Sequence, residues 1–101
     1  VWRATVADPQ ATRGPVDVEI VNQRGLHARA AAKFVTVAEK FTAEIDVTHA
    51  GMTVSGHSIM GLMMLGAGRG ETIGMTARGP QAALALAALV ALVGAGFDEG
   101  D

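Results

Sequence analysis

Few side chains in this 101-residue sequence could carry reaction chemistry. It has no cysteine, which removes a thiol catalyst, a zinc–thiolate site and a disulfide scaffold together. Three histidines remain. His49 and His57 read as a hairpin residue and a loop residue beside a helix cap, and no histidine stands at metal-ligand spacing from another. His27 is different. It lies in Gly25-Leu26-His27-Ala28-Arg29, where a loop gives way to a helical pattern. The first backbone N–H groups of any helix lack intrahelical partners, and a Ser, Thr, Asp or Asn normally caps them. Positions 26–30 offer none of these. The free amides and the positive end of the helix dipole are therefore open to an anion.

An imidazole at such a point, with the Arg29 guanidinium two residues on, suits reversible phosphorylation of histidine. The ring must attack phosphorus in its neutral form. Once the phosphoryl group is on, the backbone of Ala28, Arg29 and Ala30 and the Arg29 side chain can stabilise its charge. Such a transfer asks for positioning and charge stabilisation and for little else. The residues alone leave a second reading open, in which His27 is a surface loop residue and Arg29 a solvated charge.

Ser58 also has two readings. It is well placed to cap a short apolar helix, and a phosphate there would sit on a helix N-terminus that tolerates negative charge. Ile59, Met60, Met63 and Met64 give that helix more apolar surface than one buried face uses, with Leu62 and Leu65 as its core residues. The methionines either fill gaps in the core or form an adaptable docking patch. Gly66-Ala67-Gly68-Arg69-Gly70 lacks the GK[ST] ending of a phosphate loop and precedes a strand, so it is set aside. Asp17/Glu19 and Glu44/Asp46 read as solvated strand faces rather than as an acid/base pair.

The elements that must position these residues follow from periodicity. Val16, Val18 and Ile20 alternate with acids, as a half-buried strand does. Ala31, Phe34, Val35 and Ala38 place one buried face on a helix over residues 28–40. Ile45 and Val47, then Met52 and Val54, predict two strands around a tight Ala50-Gly51 turn. The short helix at 59–65 and a strand through Ile73, Met75 and Ala77 come next. A last helix starts after Gly79-Pro80, carries Leu86, Leu89, Val90 and Val93 on its core stripe, and stops at Gly94 and Gly96. The order β-α-β-β-α-β-α, with strands that have one wet face, predicts an α+β open-faced sandwich with helices over the other face. The expected domain is 16–94, with a flexible extension at 1–15 and an acidic tail at 95–101.

Composition narrows the function further. The chain is 50% hydrophobic and 18% charged, as a folded globule is, with a net charge of −2. That balance, without a Lys/Arg run, argues against nucleic acid and anionic membranes as partners. The apolar run from Ala82 to Phe97 is too short and too interrupted to span a bilayer. Residues 1–15 contain no apolar core of a signal peptide. A cytoplasmic monomer without metal or cofactor is expected.

Arg24-Gly25-Leu26-His27-Ala28-Arg29-Ala30-Ala31-Ala32-Lys33-Phe34-Val35 resembles the HPr family, the histidine-containing phosphocarriers of the bacterial phosphoenolpyruvate-dependent phosphotransferase system. Ser58-Ile59-Met60-Gly61-Leu62-Met63-Met64-Leu65-Gly66 resembles the family's second block, and the similarity runs from about Val16 to Val93. The resemblance implies a four-stranded antiparallel sheet with three helices on one face. It implies a relay protein rather than an enzyme: enzyme I would phosphorylate His27 on Nδ1 at the expense of phosphoenolpyruvate, and a IIA-type protein would receive the group. Arg29 matches the family's active-site arginine, and Ser58 the serine modified by HPr kinase/phosphorylase where that enzyme exists. Ile59, Met60 and Met63 match its docking patch. Ala30 departs from the usual proline, which would stiffen the first helical turn. Two readings of other classes stand beside this one: a regulatory binding module worked through Ser58 and the methionines, and a small-ligand domain with an apolar pocket.

Overall fold

The computed structural model describes residues 11–99. Its elements are β1 (Thr12–Glu19), α1 (Ala28–Ala38), β2 (Glu44–His49), β3 (Met52–Ser55), α2 (Ile59–Met64), β4 (Thr72–Arg78) and α3 (Ala82–Gly94), followed by a 3-10 turn at Gly96–Asp98. The four strands form one antiparallel sheet in the order β1-β4-β2-β3. This is the expected open-faced sandwich, in the expected element order.

The alternation of apolar and polar residues explains the layering. Ile45 and Val47 on β2 and Ile73, Met75 and Ala77 on β4 are buried, while the residues between them are exposed or half-buried. Strands patterned in this way need cover on one face only. The helices provide it: α3 packs on β1 and β4, and α1 packs on α2 and α3. Phe34, Leu62, Leu89, Val93 and Phe97 are fully buried in this layer. On the wet side Glu44 and Arg78, paired in register across β2 and β4, form an exposed ion pair worth at most about 1 kcal/mol.

Several details differ from the sequence-based expectations. β1 begins at Thr12 rather than Val16, so residues 12–15 belong to the sheet. Thr12 and Arg13 pair with Arg78 and Ala77, and the register shifts between Arg13 and Val16, around Gly14-Pro15. That irregularity interrupts the alternation that marks a strand in sequence. Residues 1–10 of the expected extension and residues 100–101 of the expected tail lie outside the described residues. α1 ends two residues early, and Ala30 rather than Val35 completes its buried face. Ala85 and Ala82 join Leu86, Leu89 and Val93 on the buried side of α3, with Val90 only half-buried. The Ala50-Gly51 turn forms as expected, with φ of 50° and 83°.

The loop from β1 to α1 is fixed by backbone bonds to the loop from α2 to β4. Ile20 N–H donates to Glu71 O (2.8 Å), Gly70 N–H to Ile20 O (2.7 Å) and Leu26 N–H to Ala67 O (3.0 Å). Gly25 has a φ of +64°, and a Cβ there would stand 2.6 Å from Ala67 O and 2.9 Å from Gly68 Cα. Only glycine tolerates both the conformation and the close approach. Gly25→Ala should therefore lower stability by at least ~2 kcal/mol. Urea unfolding checks this, and an unchanged midpoint would mean that the loop is not so held.

Candidate functional site

His27 is the N-cap residue of α1, with extended backbone (φ −77°, ψ 177°) and no side-chain hydrogen bond to the helix. The first intrahelical bond runs from Ala31 N–H to His27 O at 2.8 Å. The N–H groups of Ala28, Arg29 and Ala30 precede it, and no side chain caps them. The first turn carries no acidic residue either. A helix start with no cap of its own leaves amides that can accept an anion. Ala28 and Arg29 are exposed beside it, while Ala30 is fully buried. The side chain at position 30 thus faces the core, where a small residue fits.

The imidazole of His27 is 19% exposed. Its Nε2 is bonded to the Glu99 carboxylate, from the far end of the chain. The other oxygen of that carboxylate accepts from Asn22 Nδ2 at 3.1 Å. Asn22 Nδ2 also donates to Gly25 O at 2.8 Å. Asn22 is buried, and its Oδ1 has no partner among the described residues. The segment that brings Glu99 here is anchored by the fully buried Phe97. Phe97 and Asp98 both adopt positive φ (56° and 58°), and Lys33 Nζ on α1 donates to Phe97 O at 2.7 Å.

Sequence reasoning placed His27, Arg29 and the amides of residues 28–30 at one helix start; in the structure the amides follow His27 in the first turn of α1, and Arg29 is exposed there. It missed Asn22, Lys33, Phe97 and Glu99. Phe97 had a usable signal: a chain with only three Phe rarely leaves one outside its core. Glu99 had none, because its approach depends on two consecutive non-glycine residues in the left-handed region. The expected tail from residue 95 is, over 95–99, packed chain that contributes to the site.

Ser58 is the N-cap of α2, and its Oγ accepts from Gly61 N–H at 2.9 Å. On α2, Leu62 is fully buried and Leu65, just beyond, nearly so, as expected. Met60 and Met64 are 70% and 67% exposed, and Ile59 and Met63 are also exposed. The methionines are thus surface residues rather than fillers of core gaps. Soon after α2 ends, Ala67 accepts the bond from Leu26 N–H, which ties the segment after α2 to the loop that carries His27. The other two histidines tie loops: His49 Nδ1 donates to Leu65 O and His57 Nε2 to Ala43 O, each at 3.0 Å. Among the described residues no group of His, Asp and Glu could hold a metal ion, and no helix is long and apolar enough to cross a membrane.

Comparison with known proteins gives a consistent result. Residues 16–95 match the family model described as the PTS HPr component phosphorylation site. The phosphocarrier protein HPr of Pseudomonas putida is 46% identical over 86 residues, covering 84% of this chain and 96% of that protein. The phosphocarrier protein NPr of Shewanella violacea is 46% identical over 82 residues, covering 81% of this chain and 90% of that protein. The crystal structure of HPr-C-His from Thermoanaerobacter tengcongensis superposes with a TM-score of 0.83 at 40% identity, covering 88% of this chain and 100% of that one. The uncapped helix start behind a partly exposed histidine thus sits in a chain that belongs to the HPr family of phosphocarriers, relay proteins of the phosphotransferase system.

Proposed function

We propose that His27 is the residue through which this phosphocarrier works. Its Nδ1 takes a phosphoryl group from enzyme I, charged by phosphoenolpyruvate, and a IIA-type protein removes it. The observation that carries this reading is the uncapped start of α1 beside the ring. The N–H groups of Ala28, Arg29 and Ala30 are the phosphate-binding backbone. Arg29, exposed at the same point, adds the positive charge. Phosphoryl transfer needs little more from a carrier than this cradle and a held ring.

Two further assignments rest on α2. Ile59, Met60, Met63 and Met64 are the surface on which enzyme I and the acceptor dock in turn. Flexible, polarizable methionine side chains adapt to more than one partner. Ser58 is the site at which an HPr kinase/phosphorylase would act. Its hydroxyl lies at the edge of the same apolar face, so a phosphate there puts charge where partners must bury apolar surface.

Three outcomes test these assignments. Incubated with phosphoenolpyruvate and an active cognate enzyme I, the wild-type chain should gain one acid-labile phosphate that maps to His27, and His27→Ala should gain none. Unlabelled wild type would turn attention to a purely regulatory role. Met60→Glu should leave the thermal transition unchanged and weaken docking to enzyme I by about tenfold, measured by titration. Unchanged affinity would remove α2 from the interface. Ser58→Asp should fold normally, since its carboxylate can still cap α2, and should slow acceptance of phosphate from enzyme I. Wild-type rates in that variant would remove the regulatory role of Ser58.

A further inference from the structure

The far end of the chain reaches the ring of His27 by a path that the cradle of helix amides does not require. Glu99 occupies Nε2 with one carboxylate oxygen, and the other oxygen is held by Asn22 Nδ2. Among the described residues Asn22 makes its contacts through the amide nitrogen, to Gly25 O and to Glu99 Oε1, and its own buried oxygen has no partner there. A buried polar atom without a partner is costly and needs a reason. Here the reason is orientation. Two acceptors face Nδ2, so the amide cannot turn over without setting oxygen against oxygen.

We infer that Glu99, oriented by Asn22, is a positioning residue for phosphoryl transfer. It keeps the proton of His27 on Nε2, so that Nδ1 always presents its lone pair. The inference rests on the reading that His27 Nδ1 is the acceptor. An ionised carboxylate only accepts hydrogen bonds, so the nitrogen it touches must be the N–H. The remaining nitrogen, Nδ1, then carries the lone pair.

The step balances without any proton movement. The Nδ1 lone pair forms the bond to phosphorus while the bond from phosphorus to the donor breaks, and that electron pair leaves with the donor. The proton stays on Nε2, and the ring becomes a phosphorylated cation whose charge the Glu99 carboxylate offsets. Delivery to the acceptor is the reverse at Nδ1 and again leaves Nε2–H in place. A carboxylate that fixes the tautomer of a histidine and stabilises the cation it becomes is a familiar arrangement in acyl transfer, and the physics is the same here.

The arrangement makes an unusual demand on the closest isostere. In Glu99→Gln the amide oxygen goes to Asn22 Nδ2, which can only donate. The Gln –NH2 then faces His27 Nε2 and can only donate to it. Nε2 must become the acceptor, the proton moves to Nδ1, and the nucleophilic lone pair is lost. Glu99→Ala merely releases the ring to choose its tautomer. The conservative change should therefore do more harm than the truncation.

The test combines imidazole 15N spectra of the unmodified protein, taken at alkaline pH, with rates of phosphorylation by enzyme I. Wild type should show an N–H signature at Nε2, Glu99→Ala a mixture, and Glu99→Gln an N–H signature at Nδ1. Acceptance of phosphate should slow by about tenfold in Glu99→Ala and by about a hundredfold in Glu99→Gln. A Glu99→Gln variant as fast as wild type, or slowed with Nε2–H unchanged, would overturn the inference. If wild type takes no phosphate on His27, the reading of His27 as acceptor fails, and the 15N spectra still decide whether Glu99 sets the tautomer.

Discussion

His27 stands where it does because two loops at one end of the sheet are joined through their backbones. Ile20 exchanges bonds with Gly70 and Glu71 as the chain leaves β1, and Leu26 N–H closes on Ala67 O just before α1 begins. Between these points Gly25 turns with positive φ, hard against the backbone of Ala67 and Gly68. Backbone groups in such a junction must find partners if they are shielded from water, and here they find each other. The consequence reaches the start of α1. The residue in the cap position is a histidine, and its side chain makes no capping bond to the helix.

The opposite terminus is held by a different force. Phe97 is fully buried although its φ is 56°, a backbone conformation that a bulky residue avoids. Burial of a large apolar side chain contributes roughly 1.5–3 kcal/mol, the same order as the strain of about 1–3 kcal/mol at such a residue, and Lys33 adds a hydrogen bond to the Phe97 carbonyl. The turn at Gly96–Asp98 then redirects the chain, so that Glu99 returns to the start of α1 instead of continuing past the end of α3. Hydrophobic anchoring thus sets the position of a carboxylate beside a histidine.

These two constraints explain what could be read from the sequence. Strands and helices announce themselves by periods of two and of 3.6 residues, and Ile45/Val47, Ile73/Met75/Ala77 and Leu86/Leu89/Val93 did so. The histidine, the arginine and the missing cap lie within a few neighbouring residues, so a candidate cradle could be proposed from the sequence. What escaped was non-local or irregular. Thr12 and Arg13 pair with β4 across a shift in register that breaks the alternation at Gly14-Pro15. Glu99 meets His27 across 72 residues of chain. No local pattern encodes that meeting, because it depends on how α1 and α3 pack and on a buried ring at the end of the second.

The same geometry bears on how tightly a carrier should be held. A protein that receives a group from one partner and yields it to another gains nothing from a permanent complex with either. Small interfaces that exchange quickly suit the task. Helix α2 has the corresponding form: six residues, with Leu62 fixed in the core and Met60 and Met64 largely exposed. Its outer face offers apolar area in side chains with three rotatable bonds each, which repack against different surfaces at modest enthalpic cost but lose rotamer freedom on doing so. In docking through this face, as proposed, that entropy loss would offset part of the burial and favour a weak association. The hydrogen bonds of Asn22 and Glu99 and the close approach at Gly25 gather instead around His27. The segment after α2 and the loop that carries His27, the two parts of the proposed function, are thus joined through the bond from Leu26 to Ala67.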